Sequence, residues 1–210
     1  ALSSAASDVY KRQERDRSEK QEQAGGRKGP GRPWFGYYSD AYLETLALYR
    51  KIADQMIAYS TLLFHGSVIA VDGEAYLFTA KSGTGKSTHT KLWRKYFGNR
   101  AVMVNDDKPL LKVTGKGVLA CGTPWAGKDH LQNNIMVPLK AVCILERDTV
   151  NHIEQIRKRD AWKMILQQSY RSDQPAVLSS TIRLAEQIMD KTKLYLSLIH
   201  ISEPTRLRCI

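Results

Sequence analysis

The sequence predicts an α/β domain in which a mixed, hairpin-containing β-sheet is flanked by helices and organised around a phosphate-binding loop. Three observations carry this prediction. The stretch Phe78 to Trp93, FTAKSGTGKSTHTKLW, passes from an apolar run through a glycine-bracketed loop into a helix start. Two pairs of β-prone runs are joined by Asp72-Gly73 and by Thr114-Gly115-Lys116, both turn chemistries that suit hairpins. The helical patterns do not alternate regularly with the strands, which argues against a doubly wound sheet.

Organised sequence starts near Trp34. Ser39 and Asp40 are placed to cap a helix over 41–59, with Leu46, Tyr49, Ile52, Ala53, Met56 and Ile57 as its apolar stripe. Runs 62–71 and 74–79 read as the two strands of the first hairpin. Behind the loop, Leu92, Trp93, Tyr96 and Phe97 recur at helical spacing within 88–97. Strands follow at 101–104, 109–113, 117–121 and 139–145. Helices are predicted over 159–170, with Trp162, Ile165 and Leu166 inward, and over 180–191, with Ile182, Leu184 and Ile188 inward.

The loop reads A-x-x-x-x-G-K-S from Ala80 to Ser87, with alanine where glycine is commoner in such loops. The backbone N–H groups of Gly83 to Ser87 can turn inward as an anion nest, and the following helix adds its positive N-terminal end. The nucleotide-binding residues are therefore Ser82, Gly83, Thr84, Gly85, Lys86, Ser87 and Thr88. Lys86 would reach the terminal phosphates, and the Ser87 hydroxyl would ligate Mg²⁺. Further on, Val102-Met-Val-Asn-Asp-Asp-Lys108 ends an apolar strand in Asp106-Asp107, at the strand tip where ligands collect. One carboxylate can hold Mg²⁺ with Ser87 and the other can accept a proton from an attacking hydroxyl. Asn-Asp-Asp before Pro109 also suits an Asx turn. Upstream, His65 opens a strand just before the loop unit and can serve as electrostatic partner or proton shuttle. Gly122-Thr-Pro-Trp-Ala-Gly-Lys128, followed by Asn133-Asn134, suits a loop lining a cleft, with Lys128 toward an anionic group.

The order His65-Gly66, then SGTGKS at Ser82 to Ser87, then Asp106-Asp107 resembles the catalytic half of HPr kinase/phosphorylase and its small relatives. That superfamily shares its phosphate-binding core with phosphoenolpyruvate carboxykinase. The resemblance spans residues 61–147 by motif. It implies a compact P-loop kinase core binding ATP or another nucleoside triphosphate with Mg²⁺. It assigns Lys86 and Ser87 to phosphates and metal, Asp106 to the metal, and Asp107 and His65 to catalysis beside Lys86. Two features depart from the family: Thr88 stands where HPr kinase carries glutamate, and no Glu-x-Arg-Gly-Leu-Gly segment occurs. Phosphorolysis, and HPr itself as acceptor, are therefore not expected. The acceptor is an unidentified hydroxyl on a protein, peptide or small molecule, and a homo-oligomer is left open. The alternative is a nucleotide-dependent binding or regulatory module with no dedicated acceptor.

The formal charge of +11 invites a nucleic-acid reading. Residues 1–33 hold eight Lys/Arg against five Asp/Glu and residues 195–210 hold two against one, which leaves 22 against 15 between them. This surplus is scattered, without a basic block interleaved with aromatics, so a nucleotide suits it better than nucleic acid. Cys121, Cys143 and Cys209 form no C-x-x-C pair, which points to a reduced, cytoplasmic protein. No run of about eighteen apolar residues suggests a membrane span, and the N-terminal charged run lacks a following apolar segment. Both ends, ALSSAASDVYKRQ and YLSLIHISEPTRLRCI, resemble translated sequencing-adapter read-through. Residues 1–33 are expected to be a disordered, partly artefactual tail and 195–210 a second artefactual tail. The kinase-like domain is then expected over 34–194, with the chain read as a fragment whose N-terminal strands are absent.

Overall fold

The computed structural model describes residues 40–127 and 129–200. Ser39 and the side chain of Asp40, proposed as helix caps, and Lys128, proposed as an anion contact, lie outside the described residues. The chain divides into two units, Ala1–Gln55 and Met56–Ile210. The described part of the first is one helix, α1, running Asp40–Met56 into the start of the second unit. Ile52, placed on its apolar stripe by spacing, is exposed.

The described residues of the second unit form nine strands: β1 (Thr61–Leu63), β2 (Ser67–Val71), β3 (Glu74–Thr79), β4 (Ala101–Asn105), β5 (Leu110–Thr114), β6 (Gly117–Cys121), β7 (Met136–Arg147), β8 (His152–Gln155) and β9 (Lys193–Ile199). Helix α2 (Lys86–Phe97) follows the loop, and α3 (Lys158–Gln168) and α4 (Pro175–Lys191) separate β8 from β9. The sheet order is β1-β5-β6-β7-β3-β2-β4, with β9 pairing both β7 and β8. This is the mixed α/β architecture that the irregular alternation of elements predicts.

Local chemistry accounts for the hairpins. Asp72 and Gly73 both take positive φ, 51° and 82°, the backbone a two-residue turn between twisted strands requires. β2 and β3 then pair antiparallel from Ser67 opposite Phe78 to Val71 opposite Glu74. β5 and β6 form the second hairpin, and the Thr114 hydroxyl donates to the Gly117 carbonyl across its turn at 2.9 Å.

Two differences from the sequence reading matter. The run 62–71 is not one strand: it breaks after Leu63, so that β1 pairs β5 while β2 pairs β3 and β4. His65, Gly66 and Ser67 interrupt the apolar sequence there, and the choice of partner strand fixes the break. The second difference is β9, which pairs parallel with β7 from Ala141 opposite Lys193 to Arg147 opposite Ile199. The domain boundary drawn at residue 194 falls inside this strand.

The long strand β7 joins the parts of the sheet. Its first residues pair with β6, while Ala141–Ile144 lie between β3 and β9 and run parallel to both. Ala141–Leu145 are all buried, as strands covered on both faces require. One core packs α3 and α4 against β1, β2, β5 and β7 through Leu62, Leu111, Val142, Ile165, Ala185 and Ile188. On the other face α2 contributes Trp93 against Ile69, Phe78, Met103 and Cys143. Ile182, predicted inward, is exposed instead, and so is Tyr96 among the helically spaced residues of α2. No helix among the described residues is long and apolar enough to cross a membrane.

His89 sits in this second core, 4.5 Å from the Phe78 ring, and its Nε2 accepts the Trp93 indole N–H at 3.1 Å. Burial pushes its pKa down to about 4. Because the folded value lies below the ordinary 6.5, the stability linked to neutral His89 is complete above pH 6.5 and is lost as pH falls toward 4. The shift corresponds to roughly 3 kcal/mol. His89→Gln keeps an acceptor for Trp93 without a titrating ring. Its melting temperature should fall less steeply than that of the parent between pH 6.5 and 4, and parallel curves would remove His89 as the cause.

Candidate functional site

Strand directions alone collect the candidate residues at one sheet edge. β3 and β4 are each antiparallel to β2, so they run the same way, and β7 and β9 are parallel to β3. The C-terminal ends of β3, β4, β7 and β9 therefore share an edge with the N-terminal end of β2. Thr79 leads from β3 into the loop, Asn105 leads from β4 into Asp106-Asp107, and His65-Gly66 enters β2. Ile199, at the end of β9, lies against Gly85, since a Cβ there would stand 3.7 Å from the Ile199 Cδ1.

The loop has the backbone its glycines permit. Gly83 and Gly85 take φ of 79° and 121°, in the region that glycine alone enters freely. Thr84 closes a turn on itself, its N–H and hydroxyl both donating to the Lys81 carbonyl at 3.3 and 2.9 Å. α2 starts at Lys86 with Gly85 as N-cap, and no side chain caps it. A helix leaves its first N–H groups without intrahelical partners, so Lys86, Ser87 and Thr88 present donors from the positive end of α2. The Lys86 ammonium is folded back onto the Ala80 carbonyl at 3.1 Å. Burial lowers its pKa, the negative charge of Asp107 raises it and Lys108 lowers it, for a net downward shift. Ser87 and Thr88 are exposed. Arg147, at the end of β7, donates to the carbonyls of Gly83 and Thr84 and ties the loop to the neighbouring strand.

Asn105 shapes the carboxylate pair. Its Oδ1 accepts from the N–H groups of Asp107 and Lys108 at 2.9 and 2.6 Å, which is an Asx turn. The turn does not exclude a functional role. It consumes Asn105 and sends the two aspartates in different directions. Asp106 is only 8 % exposed, and its oxygens accept from Gly127 N–H at 2.8 Å and Leu131 N–H at 3.4 Å. Asp107 instead meets His65 Nε2 through Oδ1 and Lys108 Nζ through Oδ2, both at 3.2 Å. Burial raises the pKa of Asp107. The His65 hydrogen bond and the Lys108 charge outweigh that and hold it down at about 2.

His65 is fixed by its backbone as well as its ring. Gly66 N–H donates to the Asp107 carbonyl at 3.0 Å, and the Thr79 hydroxyl donates to the His65 carbonyl at 3.0 Å. A side chain at Gly66 would put its Cβ 2.8 Å from Leu77 Cδ1 and 3.0 Å from the Phe78 carbonyl oxygen, so the close approach of this segment to β3 requires glycine. The segment 122–131 is tied to the same edge. Asn105 Nδ2 donates to the Thr123 hydroxyl and to the Thr123 and Trp125 carbonyls, and Lys91 of α2 pairs with Asp129 at 3.0 Å. Gly122 is forced by sterics, because a Cβ there would lie 1.8 Å from the Asn133 carbonyl oxygen.

The structure thus brings His65, Lys86 and Asp107 within electrostatic reach of one another and sets Asp106 against the 122–131 segment. Sequence reasoning gave no role to Lys108, Arg147 or Gln168. Gln168 carried no signal at all, because it meets His65 across 103 residues of chain. Among the described residues no group of three or more His, Cys, Asp or Glu is arranged to hold a metal by itself.

No family model matches the chain, and no curated protein matches it. Among solved structures it is similar to the HPr(Ser) kinase/phosphatase from Coxiella burnetii, at 14% identity over 69% of this chain and 82% of that chain, with a TM-score of 0.36. A likeness of that extent assigns no residue and no reaction, and the site stands on its own geometry.

Proposed function

We propose that the chain is an ATP-dependent, Mg²⁺-requiring phosphotransferase of the HPr kinase-related type, moving the γ-phosphoryl to a hydroxyl of a protein, peptide or small molecule. One observation carries the reading: an uncapped helix N-terminus with Lys86 shares a sheet edge with Asp107, whose carboxylate faces His65. The loop fits a polyphosphate, since Gly83 and Gly85 free the backbone and the first donors of α2 lack a cap. The donors also fit Mg²⁺, which favours oxygen ligands and is usually held by one or two carboxylates together with substrate phosphates. Ser87 and Asp106 would hold it. The carboxylate of Asp106 has lone pairs beyond those taken by Gly127 and Leu131. When bound, the ion would neutralise charge on the terminal phosphates.

The remaining work falls to side chains of this chain. Lys86 would leave the Ala80 carbonyl for a phosphate oxygen. Asp107 would accept the hydrogen bond of the attacking hydroxyl and orient it. A carboxylate of pKa about 2 is a weak base. Phosphoryl transfer through a loose transition state depends mainly on positioning and charge, so orientation is its larger contribution.

A second reading, a nucleotide-dependent binding or regulatory module, is favoured by the pairing of Asp107 on both oxygens. Calorimetric titration with ATP, with and without Mg²⁺, tests what the two share: binding should occur and tighten with Mg²⁺. Labelled γ-phosphate offered with fractionated lysate separates them, since transfer to an acceptor is expected of the phosphotransferase alone. Absence of binding at millimolar ATP would reject both.

A further inference from the structure

We infer that Gln168 is a positioning residue of this site: its side-chain carbonyl takes the Nδ1–H of His65 and so turns Nε2 toward the Asp107 carboxylate. The inference rests on the phosphotransferase reading for its effect on turnover, but not for its geometry.

α3 ends at Gln168 because Ser169 takes an extended backbone, φ −72° and ψ 140°, with its hydroxyl donating back to the Ile165 carbonyl at 2.8 Å. The chain then runs antiparallel beside the segment that leaves β1. Leu63 accepts from Tyr170 N–H at 2.9 Å, Phe64 bridges Ser169, and His65 N–H donates to the Gln168 carbonyl at 2.8 Å. Three consecutive residues on each side are therefore in register, and this register sets the Gln168 side chain against the imidazole. Oε1 lies 2.6 Å from His65 Nδ1. The amide nitrogen points the other way, to the Met164 sulfur at 3.9 Å, a weak acceptor. With the carbonyl end toward the ring, Nδ1–H donates to Gln168, and Nε2 stands 3.2 Å from Asp107 Oδ1, where its N–H donates to the carboxylate. Oxygen acceptors on both sides of the ring fix its plane and aim it at the site.

The test reads the ring directly. Two-bond ¹⁵N–¹H correlation spectra, with His65 assigned through His65→Gln, report which ring nitrogens carry protons. The parent should show a proton on both nitrogens. Gln168→Leu should lose the Nδ1 proton and keep the one that faces Asp107, and Gln168→Glu, which restores an acceptor, should return the Nδ1 proton. If Gln168→Leu fails to fold, Gln168→Met gives the same comparison. With a demonstrated acceptor, Gln168→Leu should also lower kcat about 10-fold or more with the KM for ATP unchanged, the range usual for a partner that orients a functional histidine. An Nδ1 proton unchanged in the Leu or Met variant overturns the inference whatever the activity. Its loss in a protein whose parent transfers no phosphate upholds the inference and sinks the phosphotransferase reading instead.

Discussion

Asp107→Asn should keep nucleotide binding and lose phosphoryl transfer, by about 10²-fold in rate, the cost of a misplaced attacking hydroxyl. The amide oxygen can still accept one hydrogen bond, so the backbone of the turn, held by Asn105, has no reason to move. What disappears is the charge that His65 and Lys108 face at 3.2 Å and the anionic acceptor for a substrate hydroxyl. With its pKa held down at about 2, Asp107 stays ionised above pH 4. An acid limb in the parent's pH–rate profile above pH 4 therefore belongs to another group. The same shift carries stability: the folded value lies below the ordinary 3.8, so the contribution is present above that pH and is lost as pH falls toward 2. Single-turnover transfer to a demonstrated acceptor, beside an ATP titration, checks the expectation. Full turnover in Asp107→Asn would leave the carboxylate a turn residue. Asp106 is a poorer probe, because an amide there sets N–H against the N–H of Gly127 or Leu131 and disturbs the 122–131 segment along with any metal contact.

Lys86→Ala should weaken ATP binding about 10- to 150-fold, the worth of one charge-assisted hydrogen bond of 1.5–3 kcal/mol. Alanine is the best helix former and Lys86 opens α2, so the fold should tolerate the change. The only side-chain hydrogen bond lost within the described residues is the one to the Ala80 carbonyl. Lys112→Ala is the control. Lys112 is an exposed lysine on β5, opposite Thr61. Loss of ATP affinity at Lys86 with none at Lys112, read by calorimetry, is the expected result. Equal loss at both would mean that general positive charge, and not the loop, attracts the nucleotide.

What the sequence determined by itself was whatever a few adjacent residues can enforce. Asp72-Gly73 accepts positive φ and so makes a hairpin. Gly83, Gly85, Lys86 and Ser87 make a loop and an uncapped helix start. Ala141–Leu145, apolar throughout, makes a strand covered on both faces. Asn105 makes its Asx turn within three residues. Tertiary structure alone decided the matters that turn on partners far along the chain. The run 62–71 splits because β1 pairs β5 while β2 pairs β3 and β4; His65-Gly66-Ser67 interrupts the run, but the choice of partners is not written in it. β9 continues to Ile199 because β7 offers it an open edge, whatever its own composition suggests. Asp106 and Asp107 are identical in chemistry and adjacent in sequence. One is buried against the N–H groups of Gly127 and Leu131, and the other faces His65 and Lys108, because the Asx turn sends their side chains apart and each then meets groups from a different part of the fold.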